Sequence, residues 1–150
     1  MKYQKIEYKL VRENNPNYNR KIMKSATDVF AFFNDLQDAT KEKLFSVCLN
    51  QNNEIVCFDL VSVGTSNRSL ADPKDIIRAA ILTNSVSIIM VHNHPSGDPH
   101  PSDADTLITR NMNKACDLFQ IKLLDHIIIG NGKYFSFNET GLMPTTTKEV

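Results

Sequence analysis

His92 and His94 stand two residues apart at the end of an apolar run, residues 86–91. Seven residues separate His94 from Ser102, and Asp105 follows three further on. The intervening loop carries Pro95, Gly97, Pro99 and Pro101. In an extended strand, side chains two apart fall on one face, so both imidazoles point the same way. Neutral imidazole is the commonest metal ligand. A stiff loop that returns the chain over the strand end brings Asp105 in as a natural third donor. No cysteine lies nearby, and three protein ligands leave a coordination position open, the mark of a catalytic rather than a structural zinc site. Ser-x-x-Asp is equally a capping box at the start of a helix. A structural role and a metal therefore compete for the Asp105 carboxylate.

Zinc would lower the pKa of a bound water toward about 7 and polarise a carbonyl. Amide hydrolysis also needs a general base, free of the metal, to move the water's proton to the leaving amine. By residue type the candidates are Glu42, Glu54 and Asp75, and spacing does not choose among them. Ser102 has a hydroxyl able to donate to a developing oxyanion. Other patterns fail. There is no His-Glu-x-x-His, no Cys-x-x-Cys of the nucleobase deaminases, no phosphate-binding glycine loop and no nucleophile elbow.

Stepping out from these residues, the chain alternates strands and helices. Residues 3–12 alternate apolar and polar, as a half-buried edge strand does. Ser25 and Asp28 make a capping-box pattern, and Val29, Phe32, Phe33 and Leu36 predict an amphipathic helix to about Asp38. Residues 44–49 and 55–63 read as two strands of a hairpin across the turn 50–53. Asp72 caps a helix that opens at Pro73. Residues 86–91 suit a central strand covered on both faces. A helix runs from Ser102 to about Phe119, then a strand over 121–129, a tight turn at 130–132, and a pairing segment over 134–137. The fold class is α/β, a mixed sheet with helices packed on its faces.

The 150 residues suit one domain. Seventeen basic residues balance 17 acidic ones, so net charge draws the chain to neither nucleic acid nor an anionic membrane. No apolar stretch is long enough to span a bilayer, and the N-terminus has no signal-peptide core, so a cytoplasmic location is expected. Cys48, Cys57 and Cys116 are scattered and odd in number, which reads as buried free thiols.

His92-x-His94, seven residues, Ser102, two residues, Asp105 resembles the JAMM (MPN+) metalloprotease signature. The longer run 91–102, with 123–130 downstream, is similar to the bacterial RadC-like JAB domain, and the likeness covers residues 39–143. The resemblance implies the JAB/MPN fold, related to the cytidine deaminase architecture. It implies Zn2+ on His92, His94 and Asp105, Ser102 as oxyanion donor, and a peptide or isopeptide bond in some protein or peptide as substrate. The family's catalytic Glu opens the strand after the first helix. Glu42 matches that place, and Glu54 matches it less well. His126, next to Asp125, matches the family's Asp-His pair and reads either as a residue orienting a ligand or as a core histidine. His100 is a solvated loop residue or a perturbation of metal binding. Three segments are expected: an N-terminal strand and loop over 1–24, the metal-binding domain over 25–143 and a polar tail over 144–150. Too few residues precede Glu42 for the helix-hairpin-helix region of full-length RadC-type proteins, so a short, stand-alone form is expected. The alternative is a DNA-repair-associated accessory or interaction module in which the metal serves structure.

Overall fold

The computed structural model describes residues 4, 5, 7, 21–64 and 71–145. Most of the strand expected over residues 3–12 and most of the polar tail lie outside the described residues. A single five-stranded mixed sheet forms the centre, in the order β2-β1-β3-β4-β5. Its strands are β1 (Glu42–Leu49), β2 (Ile55–Gly64), β3 (Ser87–Asn93), β4 (Lys122–Ile129) and β5 (Tyr134–Ser136). The helices are α1 (Ala26–Phe32), α2 (Pro73–Leu82) and α3 (Asp103–Leu118). β1 pairs antiparallel with both β2 and β3, β3 pairs parallel with β4, and β4 pairs antiparallel with β5.

The hairpin turn is built by Asn50, whose Oδ1 accepts the backbone N–H groups of Asn52 and Glu54. β3 lies in the middle of the sheet, and all seven of its residues are buried, as its unbroken apolar run requires. Alternation along the strands divides the core in two. Leu44, Cys48, Ile88, Met90 and Leu123 meet α2 and α3 through Ile76, Ala80, Ile108 and Met112. Val47, Leu49, Ile89, Val91, Ile127 and Ile129 meet Val29, Phe33 and Leu36 on the opposite face.

The capping boxes form at both expected places, Ser25 with Asp28 and Ser102 with Asp105. Asp72 caps α2 by accepting the Lys74 N–H, with Pro73 at the first helical position. The helix expected from Ser25 to about Asp38 is shorter. α1 ends at Phe32, and a 3₁₀ turn, Asn34–Asp38, follows. Asn34 and Asp35 are poor helix formers, and the tighter turn still buries Leu36 beneath the sheet. β1 begins at Glu42, earlier than the expected 44, so Glu42 is a strand residue.

Candidate metal centre

The parallel β3–α3–β4 unit positions the site. β3 ends at Asn93 and α3 begins at Asp103, so its first turn returns over the strand end. His92 Nε2, His94 Nε2 and the Asp105 carboxylate converge there, all within 4.8 Å of one another. His92 Nε2 stands 3.0 Å from His94 Nε2 and 3.2 Å from Asp105 Oδ1, and His94 Nε2 stands 3.3 Å from Asp105 Oδ2. Among the described residues this is the one group able to hold a metal ion. His92 and Asp105 side chains are 2% and 3% exposed, against 17% for His94, so the cluster opens to solvent on the His94 side.

The loop between the strand and the helix is tied at several points. His94 N–H donates to the Ile129 carbonyl, and Asn131 N–H donates to the Gly97 carbonyl. Gly97 adopts φ +81°, a conformation that glycine takes without strain. A Cβ on Gly130 would run into the Gly97 carbonyl oxygen and Pro99, so only glycine lets the loop lie this close to the end of β4. His94 Nδ1 lies 2.8 Å from the Asp98 carbonyl oxygen. A carbonyl only accepts, so Nδ1 carries the proton and Nε2 of the neutral ring is bare.

Asp105 serves cap and cluster together, because the two demands fall largely on different oxygens. Oδ2 accepts the Ser102 N–H and hydroxyl, both at 2.7 Å, while Oδ1 faces His92. Burial works to raise the Asp105 pKa, but the facing His92 and His94 rings, each able to take up a proton toward the carboxylate, and the Ser102 hydroxyl outweigh it and hold the carboxyl well below its ordinary value. Burial likewise opposes protonation of His94. Asp105, the Asp98 carbonyl and the charge of Glu42 override it and raise the pKa.

These residues fit a zinc ion. Ligands ~2.0–2.1 Å from a common tetrahedral ion stand about 3.4 Å apart, close to the separations seen. The donors are two imidazole nitrogens and a carboxylate, a set zinc accepts. A bare Nε2 facing a second imidazole nitrogen and a carboxylate calls for a cation among them.

Register separates the three carboxylates that residue type left open. Leu44 of β1 pairs with His92 of β3. Glu42 lies two residues earlier on the same face, beside His94, on whose charge it acts. Glu54 sits at the opposite end of the hairpin, where Asn50 Nδ2 donates to its carboxylate. Asp75 is paired with Arg78 on α2. His100 is a solvated loop residue whose Nδ1 lies 2.8 Å from Asp98 Oδ1.

Three further residues belong to the arrangement. Asn93, between the two histidines, accepts the Lys43 N–H at 2.8 Å and donates to the Lys41 carbonyl at 3.2 Å. It thus grips the backbone on either side of Glu42. An Asn between the two histidines was a signal in plain view, but nothing local said which strand it would reach. His126 and Thr109 lie behind His92. His126 Nε2 is 2.8 Å from His92 Nδ1, and Thr109 Oγ1 is 2.6 Å from His126 Nδ1. Asp125 does not touch the His126 ring. Its carboxylate faces the other side of the sheet, where it accepts from Ser136 Oγ and the backbone N–H of Asn138 and His126.

Residues 23–142 match the family model for the RadC-like JAB domain. A UPF0758 protein of Chlorobaculum parvum is 48% identical over 128 residues, which is 85% of this chain and 57% of that protein. Another from Chlorobaculum tepidum is 46% identical over the same shares. One from Methanosarcina barkeri is 39% identical over 79% of this chain and 52% of its own length. The chain thus spans little more than half the length of these relatives.

Proposed function

The chain belongs to the RadC-like JAB domain family, and from that premise we propose that it is a zinc-dependent hydrolase of peptide or isopeptide bonds. The observation that carries the reading is the placement of Glu42. It stands on the same sheet face as His92 and Leu44, beside the cluster on the side where His94 meets solvent.

A zinc ion held by His92, His94 and Asp105 would supply a Lewis acid and an acidified water. Glu42 takes the proton of the attacking water and returns it to the leaving amine, work suited to a carboxylate outside the ligand set. Ser102 donates to the oxyanion that develops on the carbonyl oxygen. Its hydroxyl rests on Asp105 Oδ2. The Ser102 N–H holds that same oxygen, so the hydroxyl can turn to substrate without releasing the carboxylate. The partner is a protein or peptide that presents an amide to the open side.

The test is elemental analysis of native protein, His92→Ala/His94→Ala and Glu42→Gln, beside a peptide-hydrolysis assay. One zinc per chain is expected in native protein and in Glu42→Gln, and none in the double variant. Hydrolysis in Glu42→Gln should fall by about 100- to 10,000-fold. Native protein that stays empty when zinc is supplied, or full activity in Glu42→Gln, would overturn the assignment.

A further inference from the structure

We infer that Thr109 and His126 form a proton-ordered relay that fixes His92 with its Nε2 lone pair turned toward the metal position. The order follows from one atom that has no choice. Thr109 Oγ1 lies 2.6 Å from the Asp105 carbonyl oxygen, four residues back along α3. That oxygen can only accept, so the single hydroxyl proton of Thr109 points at it. The 2.6 Å contact from Thr109 Oγ1 to His126 Nδ1 must then be an N–H donating to the hydroxyl oxygen. His126 is fully buried, and among the described residues no carboxylate touches its ring, so the ring is neutral and has one N–H. With Nδ1 protonated, Nε2 is an acceptor. The 2.8 Å contact to His92 Nδ1 is therefore a donation from His92. His92 Nε2 is left bare, facing His94 Nε2 and Asp105 Oδ1.

Both rings of the metal position thus carry their proton on Nδ1, one set by the Asp98 carbonyl and the other by the relay. The relay is held rigid. His126 lies nearly parallel to Phe137, with ring centroids 5.1 Å apart and planes 8° apart, and Thr109 is fixed by its place on α3. It also ends on the main chain of Asp105, so two of the ligands share one support. Its last acceptor is a neutral main-chain carbonyl, which leaves the Asp105 carboxylate as the one negative charge in the ligand set.

The inference rests on the zinc reading for its purpose, but the proton order belongs to the metal-free protein as well. That separates the two in one experiment. Imidazole 15N spectra of metal-free protein at about pH 8.5, where an unperturbed imidazole is neutral, report which nitrogen of His92 is protonated. Zinc affinity is measured in parallel by competition with a chromophoric chelator, for native protein, Thr109→Val, Thr109→Ser and His126→Phe. Native His92 should carry its proton on Nδ1. Thr109→Val and His126→Phe should bind zinc about 10- to 100-fold more weakly, as loss of a ligand-orienting partner does. Thr109→Ser, which keeps the hydroxyl, should bind like native protein. A helix-packing role for Thr109 alone would not shift the His92 proton. If His126→Phe fails to fold, the Thr109 pair carries the test. A native His92 protonated on Nε2, or unchanged affinity in Thr109→Val, would overturn the relay. If native protein binds no zinc, the metal reading falls, and the spectra still decide the proton order.

Discussion

Asp105 shows how one side chain meets two demands that look exclusive in sequence. Its Oδ2 completes the capping box of α3 while its Oδ1 faces His92. The positions of His92, His94, Ser102 and Asp105 were legible because all four lie within fourteen residues joined by a loop of fixed habit. Glu42 was legible through the family resemblance alone and not from spacing, because its neighbours at the site come from a strand a third of the chain away. Asn93 supplies that link by gripping the backbone before and after Glu42. Asn93→Ala should therefore leave zinc content intact while hydrolysis falls by roughly 10- to 100-fold, since a misplacement of about 1 Å costs that much. Paired elemental analysis and kinetics check this. Loss of zinc along with activity would show that Asn93 supports the ligands rather than the base.

At the scale of elements, the loop from β3 to α3 is held by its approach to the end of β4 as much as by its prolines. Gly130 permits that approach, because any Cβ there meets the Gly97 carbonyl and Pro99. Gly130→Ala should push the His94 loop outward and weaken zinc binding by about tenfold or more, read by chelator competition. Native affinity in that variant would show that the loop adapts. The hairpin β1–β2 places Cys48 directly opposite Cys57. A hydrogen bond from Cys48 outweighs burial and lowers the Cys57 pKa to about 7. The same contact, with burial, raises Cys48, while burial and Asp117 push Cys116 up to about 12. Cys57 is thus expected to be the thiol that alkylates, with a rate climbing as pH rises through about 7. Mass analysis of iodoacetamide-labelled peptides across pH tests it, and Cys57 labelling that begins only near pH 9 would refute it. The expectation of three scattered, buried free thiols fails at Cys57, which is half-buried and faces Cys48 across the hairpin, because cross-strand partners are set by register, which a single strand does not state.

Over the whole molecule, apolar layers on both faces of the sheet are complete without a metal. No helix among the described residues is long and apolar enough to cross a membrane. Removal of zinc by a chelator should accordingly leave the circular dichroism of a folded protein and lower its thermal midpoint. Zinc at 100-fold above its Kd stabilises by about 2.7 kcal/mol, a shift on the order of 10 °C for a chain this size. Collapse of the fold on chelation would favour the module with a structural metal. The sequence by itself determined the grouping of His92, His94 and Asp105, the capping boxes and the mixed α/β architecture. Each of these is written in local spacing, where side-chain period and turn chemistry act over a few residues. Only the tertiary structure decided that Glu42, which the resemblance had implied, lies at the cluster end of the hairpin with Glu54 at the other, that Asn93 grips the backbone on either side of Glu42, and that Thr109 and His126 stand behind His92. Those contacts join segments 17 to 50 residues apart, and they arise from strand order and register, which no single segment encodes.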